Sequence, residues 1–330
     1  AIGTYLGGSL IHAGHDVVFV EREDGAQKLN MQGIQIIEGD ETRIMYPARA
    51  INSIETALDH QDYDYTLIAI KAFDTDSLLQ SLDQFRERFP TAICFQNGVE
   101  IELKIASVLG EEKVIAGTVT TAINRLDVGM VRVERLRGIG VAGNARADEI
   151  AQAFIQGGLK IRTYRNSLDM KWSKLLTNLL ANSSAAILGM TPEEIFAHPK
   201  LFALEMRQIQ EAASVMASLG IHVVDLPGTP VKALAWIARH KLQKLSQRLF
   251  KPILSRGRGG KMPSLAMDLA MGRERSEVEF LNGAVTRYGA QASVATPVNK
   301  CLYEVLMKMI EDPDLRSQFY RQPERLLSQV

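Results

Sequence analysis

Residues 65–98 read YTLIAIKAFDTDSLLQSLDQFRERFPTAICFQNG and decide the fold class. The runs 65–70 and 92–95 are continuously apolar, which is typical of strands buried on both faces of a sheet. The residues between them, 75–88, have helical spacing. A buried strand, a helix and a second buried strand in this order predict a parallel α/β sheet.

The same alternation extends to both sides of this stretch. Before it, the sequence predicts a helix at 4–14, a strand at 16–21, a helix at 25–32 and a hairpin over 33–46. After it, the sequence predicts a helix at 99–108, a strand at 113–116 and an antiparallel pair of strands within 129–142.

The second half of the chain has a different pattern. From Asp169 onward nearly every segment has a helical period and strand-like runs are absent. We therefore expect an α/β protein with a Rossmann-type, doubly wound nucleotide-binding domain over 1–166. An all-helical substrate domain is expected over 167–330.

Composition excludes several classes of protein. The 330 residues carry 38 Lys and Arg against 38 Asp and Glu, a balance that argues against a nucleic-acid-binding surface. Two cysteines and scattered histidines predict neither a disulfide framework nor a metal site. With no long apolar run and no basic leader, we expect a cytoplasmic protein that does not enter a membrane.

The first residues suggest a dinucleotide site. Ala1, Ile2 and Gly3 lead straight into the first helix, and Gly3 matches the last glycine of G-x-G-x-x-G, so we expect a strand and two glycines to precede Ala1. About 20 residues later the next strand ends at Glu21 and Arg22, where such folds bind the ribose. Arg22 favours NADP over NAD, because a guanidinium can pair with the 2′-phosphate; a solvated charge at the strand end is the alternative.

A polar stripe marks the helical half. Lys174, Asn178 and Asn182 follow each other at intervals of four residues within KWSKLLTNLLAN, so they share one face of a predicted helix that is otherwise apolar. A buried lysine and two buried asparagines need partners, which a substrate pocket would provide. A satisfied structural network and an exposed face are the alternatives.

A second group lies further along the chain. Ser264 follows a proline at the predicted start of a helix, where a serine caps well, and Glu277 lies on a later helix. A carboxylate near a buried lysine could orient a hydroxyl or hold the ammonium. Each residue by itself could equally be a helix cap or a surface acid.

An ordered set of motifs resembles the ketopantoate reductase (2-dehydropantoate 2-reductase) family of NADP-dependent enzymes along essentially the whole chain. The set comprises Ala1-Ile-Gly3, Arg22, Lys71, Gln96-Asn97-Gly98, Gly117-Thr-Val-Thr-Thr121, Trp172-Ser-Lys174 with Asn178 and Asn182, Ser264 to Asp268, Glu277 to Gly283, and Thr296-Pro-Val-Asn299. The family belongs to the 6-phosphogluconate-dehydrogenase-like superfamily.

The resemblance implies a role for each matching residue. Lys174 would donate a proton to the 2-oxo oxygen as hydride reaches the carbon, and Glu277 would hold the substrate hydroxyl and the lysine. The remaining assignments are substrate binding by Asn97, Asn178, Asn182, Ser264 and Lys261, and cofactor binding by Ala1, Ile2, Gly3, Arg22, Lys71 and Asn97. The implied partners are NADP(H) and a small 2-oxo acid, with a monomer or a homodimer as the assembly.

Some features depart from the family pattern. Lys261 stands in Lys-Met-Pro-Ser where the family usually has Asn-x-Ser-Ser, which puts the identity of the 2-oxo acid in doubt. Residues 226–267 contain no Asp or Glu, and a cationic segment runs over 231–261. This segment could be a solvated face, an anion-attracting rim or a membrane-surface helix.

Two other functions stay open at this stage. A β-hydroxyacid dehydrogenase relative shares the two-domain plan and the helix lysine, but residues 164–167 lack the glycine-rich segment of that family. A non-catalytic NADP-sensing protein would keep the cofactor domain alone, and the retained Lys174, Asn178 and Glu277 argue against it.

Overall fold

The computed structural model describes residues 1–143, 146–240 and 262–330. These residues pack into two compact units. Unit 1 comprises Ala1–Gln96, Ile101–Lys171 and Leu226–Thr229, and unit 2 comprises Asn97–Glu100, Trp172–Asp225 and Pro230–Val330. Within the described ranges, no helix combines the length and apolar character needed to span a bilayer.

Unit 1 contains the strands. They are β1 (Val18–Val20), β2 (Ile34–Glu38), β3 (Glu41–Met45), β4 (Arg49–Ile51), β5 (Tyr65–Ile68), β6 (Thr91–Cys94), β7 (Val114–Val119), β8 (Ala122–Asp127), β9 (Met130–Arg135), β10 (Ile139–Ala142) and β11 (Ile161–Tyr164). Its helices are α1 (Ile2–His12), α2 (Glu23–Gln32), α3 (Ile54–His60), α4 (Thr75–Leu82), α5 (Ile101–Leu109) and α6 (Arg146–Gln156).

The main sheet has five strands in the order β11-β10-β7-β6-β5. Strands β5, β6 and β7 are parallel, as in a Rossmann-type fold, and β5 and β6 correspond to the two apolar runs identified in the sequence. The run 65–70 is not buried on both faces as predicted, because β5 is the last strand in the sheet order: only Ile68 of β5 is buried, and Ile70 is 40% exposed. All four residues of β6 are buried. This confirms the α/β fold class, although β10 joins β7 in antiparallel orientation.

The predicted antiparallel pair within 129–142 is wrong. β9 pairs with β2 and β8 in a separate four-stranded sheet, whereas β10 lies between β7 and β11 in the main sheet. The chain changes sheets at Gly138, which has a φ of 142°. Alternating polarity predicts that a strand forms, but it does not identify the partner, which depends on distant residues.

The core of unit 1 joins helices α1 and α6 to the sheets. Leu6, Ile93, Ile115 and Phe154 are fully buried within one apolar cluster. The rings of Phe95 and Phe154 meet edge to face at 5.9 Å, an arrangement that aromatic pairs favour.

Unit 2 is helical. Its elements are α7 (Ser167–Leu179, beginning in unit 1), α8 (Ser183–Leu188), α9 (Pro192–Ala197), α10 (Pro199–Ser218), α11 (Val231–Arg239), α12 (Ser264–Ala270), α13 (Asn282–Gln291), α14 (Pro297–Glu311), α15 (Leu315–Phe319) and α16 (Pro323–Leu327). No strand follows β11 in the described residues, which confirms the helical second half.

Candidate functional site

Helix α7 carries the predicted catalytic lysine. Leu175, Leu176 and Leu179 are buried, and they hold one side of the helix in the apolar interior. Lys174 and Asn178 are half-buried and lie one turn apart on a different face. The helical period therefore places the lysine and the asparagine as neighbours.

Asn97, Asn178 and Glu277 form a connected polar cluster in unit 2. Asn178 Nδ2 donates a hydrogen bond to Asn97 Oδ1 at 3.0 Å, and Asn97 Nδ2 reaches Glu277 Oε1 at 3.5 Å. Glu277 begins a short 3₁₀ turn and is only 3% exposed. The structure thus brings together three residues that are distant in sequence, since Asn97 and Glu277 are 180 positions apart.

The sequence predicted that Asn182 continues the polar stripe on α7, and this prediction is wrong. The helix ends at Leu179, Ala181 has a φ of 45°, and Asn182 is the residue before α8. Asn182 nevertheless stays beside Asn178, because its Nδ2 donates to the Asn178 carbonyl at 3.0 Å. Its Oδ1 accepts a hydrogen bond from the Leu265 backbone N–H at 3.4 Å, which links it to α12.

The sequence predicted that Ser264 caps α12, and this prediction is wrong. The capping position is Pro263, which makes no side-chain bond, and Ser264 is the first helical residue. Ser264 is half-buried and adjoins Leu265, the residue bonded to Asn182. Lys261 lies outside the described residues, as does 241–261 of the cationic segment.

The fully buried lysine of α7 is Lys171, which the sequence analysis did not select. Its side chain is 3% exposed, and Nζ lies 2.8 Å from Glu102 Oε1. Nζ also donates to the Gln96 carbonyl at 2.7 Å, with the Gly117 carbonyl at 3.4 Å. The signal was available, because Lys171 is seven residues before Asn178 and hence on nearly the same helix face.

A buried carboxylate supports the turn between α7 and α8. Glu205 is fully buried; it accepts hydrogen bonds from the Ala181 backbone N–H at 2.6 Å and from Ser184 Oγ and Gln208 Nε2 at 2.5 Å. These bonds hold Ala181 in the conformation that separates Asn178 from Asn182. Nothing in the local sequence of α10 indicates this role.

The segment from Asn97 to Glu100 is tied down at its far end. Arg287 binds Glu100 in a two-point contact, with Nε 3.1 Å and Nη2 2.5 Å from the carboxylate oxygens. The same guanidinium donates to the Glu279 carbonyl at 3.0 Å. A two-point arginine–carboxylate pair fixes orientation as well as distance.

The predicted dinucleotide residues Ala1, Ile2 and Gly3 lie at the amino end of α1 in unit 1. A Cβ built on Gly3 would be 3.6 Å from the Ala69 Cβ, which is an ordinary contact beside the end of β5. Closer approaches occur about one turn further along the helix. At Gly7 and Gly8 an added Cβ would come within 2.6 Å of Phe19 and 2.8 Å of Ile34.

Charged side chains lie around the amino end of α1. The first turn of the helix contains no acidic residue. Arg125, Lys71 and Glu21 lie near the nitrogen of Ala1, so two cations and one carboxylate act on this end of the helix. Lys71 is half-buried and precedes a short 3₁₀ turn after β5.

Glu21 and Arg22 follow β1 and are both exposed. The Glu21 carboxylate accepts a hydrogen bond from the Arg22 backbone N–H at 3.1 Å, at the start of α2. Among the described residues, the Arg22 guanidinium has no hydrogen-bond or ion-pair partner. The arginine is therefore available to an external anion.

Three further features of the described residues concern metal ligands, a buried thiol and a pocket on α11. No three His, Cys, Asp or Glu side chains in 1–143, 146–240 and 262–330 come together in a way that could hold a metal ion. Burial raises the pKa of the Cys94 thiol well above its usual value. On α11, Lys232, Trp236 and Arg239 line a pocket of about 520 Å³.

Comparisons with known proteins cover both units. Residues 1–146 match the family model "Ketopantoate reductase PanE/ApbA", and residues 166–310 match "Ketopantoate reductase PanE/ApbA C terminal". A 2-dehydropantoate 2-reductase from Pyrobaculum aerophilum is 28% identical over 246 residues, which are 74% of this chain and 76% of that one.

Solved structures show the same fold. A PanE/ApbA family ketopantoate reductase from Ralstonia eutropha JMP134 superposes with a TM-score of 0.77 at 24% identity, covering 95% of this chain and 96% of that one. D-mandelate dehydrogenase, in a ternary structure with NADH and anilino(oxo)acetate, also gives 0.77, at 20% identity with the same coverage.

Proposed function

Since the chain belongs to the ketopantoate reductase family, a family of oxidoreductases that act on CH–OH groups, we propose that it reduces 2-dehydropantoate to pantoate with NADPH. One observation carries the proposal: Asn97, Asn178 and Glu277 are hydrogen-bonded together in unit 2, and Lys174 lies one turn from Asn178 on α7. A cation and three neutral or anionic hydrogen-bonding groups suit a substrate with a carboxylate, a carbonyl and a hydroxyl.

The residues of unit 1 fit a dinucleotide phosphate. The amino end of α1 presents backbone N–H groups and lacks acidic residues, which favours a pyrophosphate. Lys71 and Arg125 add positive charge near Ala1. Arg22, which has no partner within the part of the chain that the structure describes, suits a 2′-phosphate, and this is the reason to propose NADP(H) instead of NAD(H). We assign cofactor binding to 1–166 and substrate binding to 167–330.

The protein's own groups control charge and protons at the substrate. When bound, the nicotinamide supplies the hydride that reduces the 2-oxo carbon. Lys174 Nζ polarises the 2-oxo oxygen and then donates a proton to it, so that no free alkoxide accumulates. Asn178, Asn182 and Ser264 hold the polar groups of the substrate, while the buried Glu277 carboxylate accepts from its hydroxyl and keeps Lys174 in place.

The proposed test measures NADPH oxidation with 2-dehydropantoate beside a panel of other 2-oxo acids. Lys174→Ala should lower kcat by at least about 100-fold, the range for a general acid, while NADPH binding stays intact. Lys200→Ala is the matched control, since Lys200 is an exposed lysine paired with Glu324 on the same unit. Full activity of Lys174→Ala would overturn the assigned mechanism.

A different 2-oxo acid is the second candidate. Lys261 replaces a neutral residue of the family pattern, and a cation beside the substrate would favour a second anionic group. Turnover of another acid in the panel, without turnover of 2-dehydropantoate, would move the substrate and leave the fold and the Lys174 mechanism in place. NADPH binding with no turnover of any acid would favour the sensing function.

A further inference from the structure

Lys171 is a buried charge to which the proposed mechanism gives no role. We propose that it is a positioning residue: it holds the Gln96 carbonyl and thereby orients Asn97 for the reaction. The inference rests on the proposed function, because Asn97 is one of the residues assigned to substrate and nicotinamide. The proposal gives Lys171 itself no contact with either.

The contacts of Lys171 show what it holds. Its Nζ has three partners, all in unit 1: it donates to the Gln96 carbonyl at 2.7 Å and to the Gly117 carbonyl at 3.4 Å, and it forms an ion pair with Glu102 Oε1 at 2.8 Å. The shortest of the three is the bond to Gln96. A buried ammonium is retained only when such acceptors compensate its loss of water, so the geometry around it is closely constrained.

The position of the Gln96 carbonyl directly affects the position of Asn97. It belongs to the peptide bond that joins the two residues, and that bond is planar. Fixing the oxygen therefore fixes the plane that contains the Asn97 Cα. Gln96 is held a second time by its side chain, whose Nε2 donates to Thr75 Oγ1 at 2.9 Å.

The opposite side of Asn97 is fixed within unit 2. Its side chain meets Asn178 at 3.0 Å, and three residues later Glu100 is held by Arg287. Lys171 and Asn178 lie two turns apart on the same face of α7. One helix thus contacts the backbone before Asn97 through a lysine and the Asn97 side chain through an asparagine.

A purely structural lysine would have different consequences. It would support the sheet through Glu102 and Gly117, and its removal would lower stability without a specific effect on Asn97. A positioning lysine must act through Asn97, so the effects of removing the two residues cannot multiply. This difference can be measured.

The test is a double-mutant cycle with Lys171→Met and Asn97→Ala, assayed for 2-oxo acid reduction. We expect Lys171→Met to lower kcat/KM by about ten- to hundredfold, the range for losing a charge-assisted hydrogen bond. We expect Lys171→Met/Asn97→Ala to be no less active than Asn97→Ala. Met170→Leu is the control, since Met170 is the adjacent buried residue and should keep wild-type kinetics.

Two further measurements separate the possible failures. If Lys171→Met does not fold because Glu102 is left unpaired, Lys171→Met/Glu102→Leu removes both charges and should fold while still freeing the Gln96 carbonyl. A crystal structure of the folded variant reports on Asn97 without any assay, so it remains decisive if the protein reduces no 2-oxo acid. Multiplicative effects in the cycle, or an unmoved contact between Asn97 and Asn178, would overturn the proposal.

Discussion

Replacing Arg22 by alanine should remove the preference for NADPH over NADH. Arg22 is exposed at the start of α2 and has no hydrogen-bond or ion-pair partner among the described residues. Its removal therefore leaves no protein group unsatisfied, and the fold should keep its stability within about 0.5 kcal/mol. The whole effect should fall on the cofactor that carries the extra phosphate.

The size of the effect follows from the interaction that is lost. A hydrogen bond to a charged group contributes about 1.5–3 kcal/mol, and the exposure of Arg22 favours the lower part of that range. Each 1.4 kcal/mol corresponds to about a tenfold change in affinity. We therefore expect KM for NADPH to rise by about tenfold or somewhat more, and KM for NADH to change by less than about threefold.

The assay is initial-rate kinetics with both cofactors at low and at physiological ionic strength. The NADPH effect should shrink as salt rises, because screening acts on exposed charges. Arg86→Ala is the control: Arg86 is another exposed arginine of unit 1, adjacent to Glu87. An equal rise of KM for both cofactors, or an unchanged KM for NADPH, would refute the assignment of Arg22 to the 2′-phosphate.

Two further predictions concern stability in unit 2. Asn282 is fully buried and forms hydrogen bonds with Ser183, Gln208 and Asn299. Asn282→Leu should lower the free energy of unfolding by about 3 kcal/mol or more, because it leaves these three buried groups short of a partner. Denaturant unfolding measures this loss, and a loss under about 1 kcal/mol would contradict the prediction. The Thr191 backbone N–H, followed by Arg321, lowers the pKa of Glu194. Glu194 therefore stabilises the fold above its unfolded pKa, and this contribution is lost as pH falls through the lower folded pKa. The stability gap between wild type and Glu194→Ala should accordingly narrow on acidification, and a gap independent of pH would show that the carboxylate charge does not matter.

Local patterns predicted much of the fold. The continuous apolar runs at 65–70 and 92–95 form adjacent parallel strands, as predicted. Only β6 is buried along its whole length, because β5 lies at the end of the strand order. The helical period placed Lys174 and Asn178 on one face of α7. The pairing of 130–135 and 139–142 could not be obtained this way, since the two strands join different sheets whose other members are distant in sequence.

The candidate site was predicted in its residue types and only partly in its geometry. The sequence by itself determined which polar residues interrupt apolar helices, because a polar group in such a setting must find a partner. Only the tertiary structure decided which partner each one has. It ended α7 before Asn182, buried Lys171 more deeply than Lys174, and brought Asn97 to Glu277. Periodicity defines the direction of a side chain along its own element, whereas burial and partnership depend on the other elements that pack against it.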